Sequence, residues 1–209
     1  MPPIVLIGSG GHAREIAEIA QHAHQQGLGG PLLGYLDENP QRHGQEILDL
    51  PVLGGLDWLN GRESEVEVLI AIGDSGVRKR LAEQFGTRVR YATIVSPLAH
   101  ISKHSEIREG TVVFPAVVVS NLVLVGRHVQ LNVACSLSHD AKVGDYCSVY
   151  PGARLTGGAC LAEGVTLGTN ASVIPLRSVG SDTVVGAGAC VVSDLPSGVT
   201  AVGVPARPR

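Results

Sequence analysis

Aromatic residues are nearly missing from this 209-residue chain, in which one Trp, two Phe and four Tyr amount to 3%. Ordinary globular cores draw much of their buried area from rings. A chain with 44% hydrophobic residues and so few rings must bury small aliphatics in narrow, regular layers. A large excess of charge of one sign is missing as well: 16 Lys and Arg face 19 Asp and Glu. That balance excludes the basic stripe of a nucleic-acid binder or of a protein held on an anionic membrane. No apolar run approaches the roughly 20 residues that span a bilayer, so no membrane insertion is expected. The opening Met1-Pro2-Pro3-Ile4-Val5-Leu6-Ile7-Gly8 lacks the basic start and apolar length of a secretory signal. Cys135, Cys147, Cys160 and Cys190 show neither a Cys-x-x-Cys nor another metal-binding spacing. No metal is expected, and the setting is expected to be reducing and cytoplasmic.

What is present divides the chain in two. Up to about residue 94, strands and helices alternate. Ile4–Ile7 reads as a short buried strand, and Ala13–Gln26 as a helix with Ile16, Ile19, Ala20 and Ala23 on one face. Leu32–Leu36 is expected as a second strand, ended by the turn-forming Asp37-Glu38-Asn39-Pro40. Val66–Ile72 and Val89–Ile94 are expected as further strands around a helix over Gly76–Phe85. This β-α-β order predicts a small parallel sheet of Rossmann-like type.

From Val95 the period changes to six. An aliphatic residue recurs without a slip at Val95, Ile101, Ile107, Val113, Val119, Val125 and onward to Val185 and Val191. Two places before it the residue is mostly small, as at Ser105, Thr111, Cys135, Ala141, Cys147 and Ala153. Three places after it come Gly110, Asp140, Gly152, Gly158, Gly164, Asn170, Asp182 and Gly188, types that tolerate the left-handed backbone of a sharp corner. Helices and sandwiches do not produce a strict period of six; a parallel β-helix does. The expected organisation is a Rossmann-like domain over 1–94, a β-helix over 95–192 and a C-terminal tail over 193–209.

Two segments carry candidate chemistry. In Leu137-Ser138-His139-Asp140 the histidine lies two residues past a buried position, near a corner, where its ring can leave the core. Imidazole suits proton removal near neutral pH, and an adjacent carboxylate fixes its tautomer. Asp140 also fits a plain turn residue. The other segment, Gly8-Ser9-Gly10-Gly11-His12-Ala13, follows a strand and opens a helix, where free N–H groups suit phosphate. Formally it also fits the dinucleotide pattern Gly-x-Gly-x-x-Ala with Asp37 ending the next strand, which leaves NAD open.

Val143-Gly144-Asp145-Tyr146-Cys147 and Leu167-Gly168-Thr169-Asn170-Ala171 resemble the repeats of hexapeptide acyltransferases. Together with the Gly-x-Gly-Gly-His loop, the Asn132-x6-His139-Asp140 segment and the closing Gly203-Val204-Pro205-Ala206-Arg207, they resemble the sialic acid O-acetyltransferase and UDP-4-amino-sugar N-acetyltransferase (NeuD/PglD-type) family. The resemblance implies a left-handed β-helix, a homotrimer, acetyl-CoA as acyl donor and a nucleotide-sugar acceptor. It implies His139 as general base supported by Asp140, with acceptor contacts at Gly10, Gly11, His12, Asp37, Glu38 and Gly73. Cofactor contacts carry over to Ser148, Gly168, Thr169 and Gly186, and Ser148 departs from the histidine of some relatives. N-acetylation of a nucleotide-linked amino sugar for surface glycans is the expected activity. O-acetylation of a sialic-acid-type sugar, or an inactive nucleotide-sugar-binding scaffold, are the alternatives.

Overall fold

The computed structural model describes residues 1–209, which fold as two units, Met1–Pro97 and Leu98–Arg209. In the first, β1 (Ile4–Ile7), α1 (Gly11–Gln25), β2 (Leu32–Leu36), β3 (Glu46–Ile47), β4 (Leu50–Gly54), β5 (Glu67–Ile70), α2 (Ser75–Phe85) and β6 (Arg90–Tyr91) follow in order. Sheet order is β3-β4-β2-β1-β5-β6, parallel except for the β3–β4 pair. The chain builds outward from β1 through β2 and then crosses to β5 on the other side. The β1/β5 boundary is therefore the switch point where ligands of open α/β sheets bind. All four residues of β1 are buried, as expected of a central parallel strand. The amphipathic period of α1 turns Ala13, Ile16, Ile19, Ala20 and Ala23 inward. Between Asn39 and Val66 the sequence has little periodicity, yet β4 adds a parallel strand beside β2. The expected strand Val89–Ile94 is divided into β6 and a separate β7 (Ile94–Val95).

The second unit is a parallel β-helix of two-residue strands, from His100–Ile101 to Cys190–Val191. From Val113 on, each repeat aliphatic is the second residue of its strand and is buried, and small residues two places earlier are buried with it; Val113, Val119, Cys135, Ala141, Ala153 and Leu155 are fully buried. Strands pair with the next coil at a spacing of 18, Val119 against Leu137, Leu137 against Leu155, and Leu155 against Val173. Like side chains therefore stack on like, each contributing about 1.5–3 kcal/mol when fully buried. The corners adopt the left-handed backbone expected of them, with φ of 60° at Asp140, 56° at Asn170 and 56° at Asp182. Residues 193–209 extend this unit: Thr200–Val202 pairs in parallel with Val184–Val185, and Arg207–Pro208 folds back antiparallel onto it. Burial pushes the Cys135 thiol up to about 12, despite the nearby Arg154 charge. It stays a protonated core residue at neutral pH.

Candidate active site

His139 and Asp140 sit on the corner between the strands Ser136–Leu137 and Lys142–Val143. The ring Nδ1 lies 2.8 Å from Asp140 Oδ2, and both side chains are exposed. With Nδ1–H donating to the carboxylate, Nε2 becomes the acceptor, the tautomer a general base requires. The φ of 60° at Asp140 means this residue is a corner residue and a histidine partner together.

One coil on, Gly157 lies beneath the imidazole. A Cβ placed there would meet His139 Nε2 at 2.6 Å and Cε1 at 2.7 Å, and the Gly158 N–H donates to His139 O at 2.9 Å. The absence of a side chain at Gly157 is thus a steric condition for the ring's position. An eighteen-residue spacing from the histidine is the signal that finds it in the sequence.

Ser148, Gly168, Thr169 and Gly186 lie elsewhere on the same β-helix. Ser148 is buried in a strand paired with Gln130 and Thr166. Gly168 and Gly186 follow the next two strands of that sheet, at equivalent places one coil apart. A Cβ at Gly168 would meet Val185 O at 2.6 Å, and one at Gly186 would meet Val202 Cγ1 at 2.7 Å. Close stacking of coils therefore accounts for both glycines without a ligand. Thr169 is exposed. Within one chain these four residues share a sheet and its following corner, and His139 is on another corner.

In the N-terminal unit the expected residues converge at the C-terminal edge of the sheet. Gly10 is the N-cap of α1 and makes no side-chain cap, and no acidic residue occupies the first turn. By contrast, Asp74 caps α2 by accepting from Val77 N at 2.8 Å. An N-terminus without a side-chain cap or a first-turn carboxylate suits an anion, which the helix dipole favours there. Nothing lies within 4 Å of a Cβ built on Gly10 or Gly73, and only Arg14 Nη2, at 3.7 Å, approaches one built on Gly11. Packing does not explain these glycines. His12 lies in the first turn of α1 and approaches Glu15, Nδ1 to Oε2 at 3.8 Å. Gly73 follows β5, its carbonyl and that of Ile72 held by the buried Arg78 at 2.7 and 2.9 Å.

Asp37 and Glu38 directly follow β2 and differ in their commitments. Asp37 accepts from the Ser9 hydroxyl, from Arg42 Nη1 at 3.1 Å and from Asn39 N at 3.0 Å. Partial burial works to raise its pKa, but the Ser9 and Asn39 hydrogen bonds and the Arg42 charge outweigh that and hold the carboxyl below its ordinary value. Glu38 gives one oxygen to the Leu56 N–H at 2.8 Å. Both line a cavity of about 230 Å³ at the β1/β5 switch point, walled by Ile7, Leu36, Ile72, Val77 and Leu81 and edged by Arg80. Arg80 carries no signal in the sequence beyond its place on α2.

A Rossmann-like domain and a hexapeptide β-helix with a carboxylate-held histidine at a corner are together the architecture of an acyltransferase. The family described as PglD N-terminal domain matches residues 3–85. The structure of PerB from Caulobacter crescentus in complex with CoA and GDP-perosamine is 31% identical, with a TM-score of 0.89 over 99% of this chain and 96% of that one. The acetyltransferase domain of PglB from Neisseria gonorrhoeae FA1090, in complex with acetyl coenzyme A, is 29% identical with a TM-score of 0.92 over 100% and 99% of the two chains. GDP-perosamine N-acetyltransferase of Escherichia coli O157:H7 is 27% identical over 213 residues, 97% of this chain and 94% of that protein. The chain belongs to the NeuD/PglD-type family of hexapeptide-repeat acetyltransferases. Its β-helix is of the left-handed kind, and it is an acetyl-CoA-dependent acyltransferase. No helix is long and apolar enough to cross a membrane.

Proposed function

We propose that the protein N-acetylates the amine of a nucleotide-linked amino sugar, with acetyl-CoA as donor and His139 as general base. The observation that carries this reading is the His139–Asp140 hydrogen bond at 2.8 Å, which directs Nε2 outward over the side-chain-free Gly157. His139 accepts the proton from the sugar amine as that amine attacks the thioester carbonyl, and Asp140 stabilises the imidazolium formed; the tetrahedral intermediate then collapses with cleavage of the C–S bond, and the imidazolium returns the proton to the departing CoA thiolate. The Gly157 N–H, one coil on, is the donor we assign to the oxygen that gains charge. The uncapped start of α1, with Gly10, Gly11 and His12, holds the acceptor's phosphates. Glu38, Asp37 and Gly73 surround its nucleoside.

Ser148, Gly168, Thr169 and Gly186 would contact the same acetyl-CoA that meets His139, yet they flank a different corner of the same chain. One donor molecule touching both sets would lie between two copies, as in the homotrimer that the family resemblance implies. We assign the protein to the cytoplasm, where acetyl-CoA and nucleotide sugars are made. The test is His139→Ala: turnover should fall about 10²–10⁴-fold, the usual worth of a general base, with acetyl-CoA affinity and oligomeric state unchanged. An undiminished rate would remove His139 from the mechanism.

A further inference from the structure

We infer that the cavity at the β1/β5 switch point selects guanine, so that the preferred acceptor is a GDP-linked rather than a UDP- or dTDP-linked amino sugar. The inference rests on the nucleotide-sugar reading above and concerns which base that site takes. The cavity's volume of about 230 Å³ lies below the roughly 300–1,000 Å³ of pockets that enclose a drug-sized ligand. It suits one ring system and not a whole nucleotide sugar. Its walls are aliphatic, from Ile7, Leu36, Ile72, Val77 and Leu81, and fit the faces of a flat base. Three charged residues line it, Asp37, Glu38 and Arg80, and two of them are open to a base, the carboxylate of Glu38 and the guanidinium of Arg80.

These two groups discriminate among bases. A carboxylate only accepts, and a guanidinium only donates. Glu38 is steadied by the Leu56 N–H on Oε1, which leaves Oε2 and the second lone pair of Oε1 for a ligand. The neighbouring Asp37 does not compete, because its carboxylate is taken up by Ser9, Arg42 and Asn39. Guanine offers adjacent N1–H and N2–H donors on one edge and the O6 and N7 acceptors on another. The first pair matches Glu38, and the second is the bidentate partner of an arginine. Uracil and thymine flank a single N–H with two carbonyl oxygens, so a carboxylate that takes the proton faces an acceptor beside it. Adenine sets an amino donor next to N7, and against Arg80 that places donor on donor. Of these bases, guanine alone satisfies both charges.

The experiment is calorimetry of the full-length protein with GDP, UDP, dTDP and ADP, repeated on Arg80→Met and Glu38→Gln. Arg80 is exposed, and glutamine retains an oxygen for the Leu56 N–H, so both variants should fold. A bidentate base contact discriminates by about 1–3 kcal/mol, so wild type should prefer GDP by about tenfold or more. Each variant should lose most of that preference while its affinity for acetyl-CoA stays within about twofold of wild type. UDP or dTDP binding as tightly as GDP would overturn the guanine inference and leave the nucleotide-sugar reading standing. A GDP preference that survives both substitutions would remove Glu38 and Arg80 as its source. Binding of none of the four nucleotides would remove both readings.

Discussion

Replacing Gly157 by alanine isolates the geometry of the base from its chemistry. The new methyl carbon would start 2.6 Å from His139 Nε2 and 2.7 Å from Cε1, whereas non-bonded heavy atoms settle at about 3.5–4.0 Å. The deficit is about 1 Å, and the exposed imidazole yields by swinging outward, because the coil beneath it is fixed by stacked backbone. A displacement of about 1 Å at a reacting group costs about 10²-fold in rate, or about 2.7 kcal/mol at 1.36 kcal/mol per factor of ten. Gly157 is not among the positive-φ residues, so alanine is allowed there and fold stability should hold. The assay is release of the CoA thiol under saturating acetyl-CoA and nucleotide amino sugar, beside a thermal melt. We expect kcat to fall about 10²-fold, with the KM of each substrate within about threefold of wild type and Tm unchanged. A kcat equal to wild type would show that the ring need not lie over Gly157, and the argument for His139 from its position would fail.

Asp140→Asn keeps a residue type that tolerates a φ near 60° and removes the carboxylate. Turnover should fall by about 10-fold or more, less than for His139→Ala, with Tm unchanged; a drop in Tm without loss of rate would make Asp140 a turn residue only. Gly11→Val fills the open space over the first turn of α1. Calorimetry and kinetics should show the acceptor's KM raised by about tenfold or more and the Kd for acetyl-CoA unaltered, and an unaltered acceptor KM would refute phosphate contact there. The Asp37 carboxyl has a folded pKa below its unfolded value, so its hydrogen bonds stabilise the fold fully above the unfolded pKa of about 3.9 and lose that effect as pH falls through the lower folded value. Urea midpoints of wild type and Asp37→Asn should therefore differ near neutral pH and converge in acid; a gap independent of pH would contradict this.

The β-helix was legible because its signal is repeated: the aliphatic column recurs in every coil and small and turn-forming residues fill many of the flanking places, so errors at one position are corrected by the others. Ala116, Leu122 and Leu176 adopt left-handed corners without any such residue type, at about 1–2 kcal/mol each. Their conformation is legible only from the period around them. Strand β4 was not legible, since Leu50–Gly54 contains a proline and no alternation, and its place depends on pairing with β2. In the site, His139 and Asp140 were readable as neighbours in the chain. The engagement of Asp37 was not, because Ser9 is 28 residues away and meets it only through the parallel order of β1 and β2. Arg80 was missed for a similar reason: an exposed arginine on an amphipathic helix looks like a solvent-facing residue until the sheet edge is assembled beside it.

The central claim is transfer of acetyl from acetyl-CoA to the amine of a nucleotide-linked sugar, and one measurement addresses it directly. Wild-type protein is given acetyl-CoA with a panel of GDP-, UDP- and dTDP-linked amino sugars and free sialic acids, with thiol release followed by mass spectrometry of the products. The account predicts thiol release matched by a singly N-acetylated nucleotide sugar, stable to mild base that cleaves an O-acetyl ester. Acetylation of sialic acid hydroxyls alone, or no turnover with any nucleotide-linked amine, would contradict it.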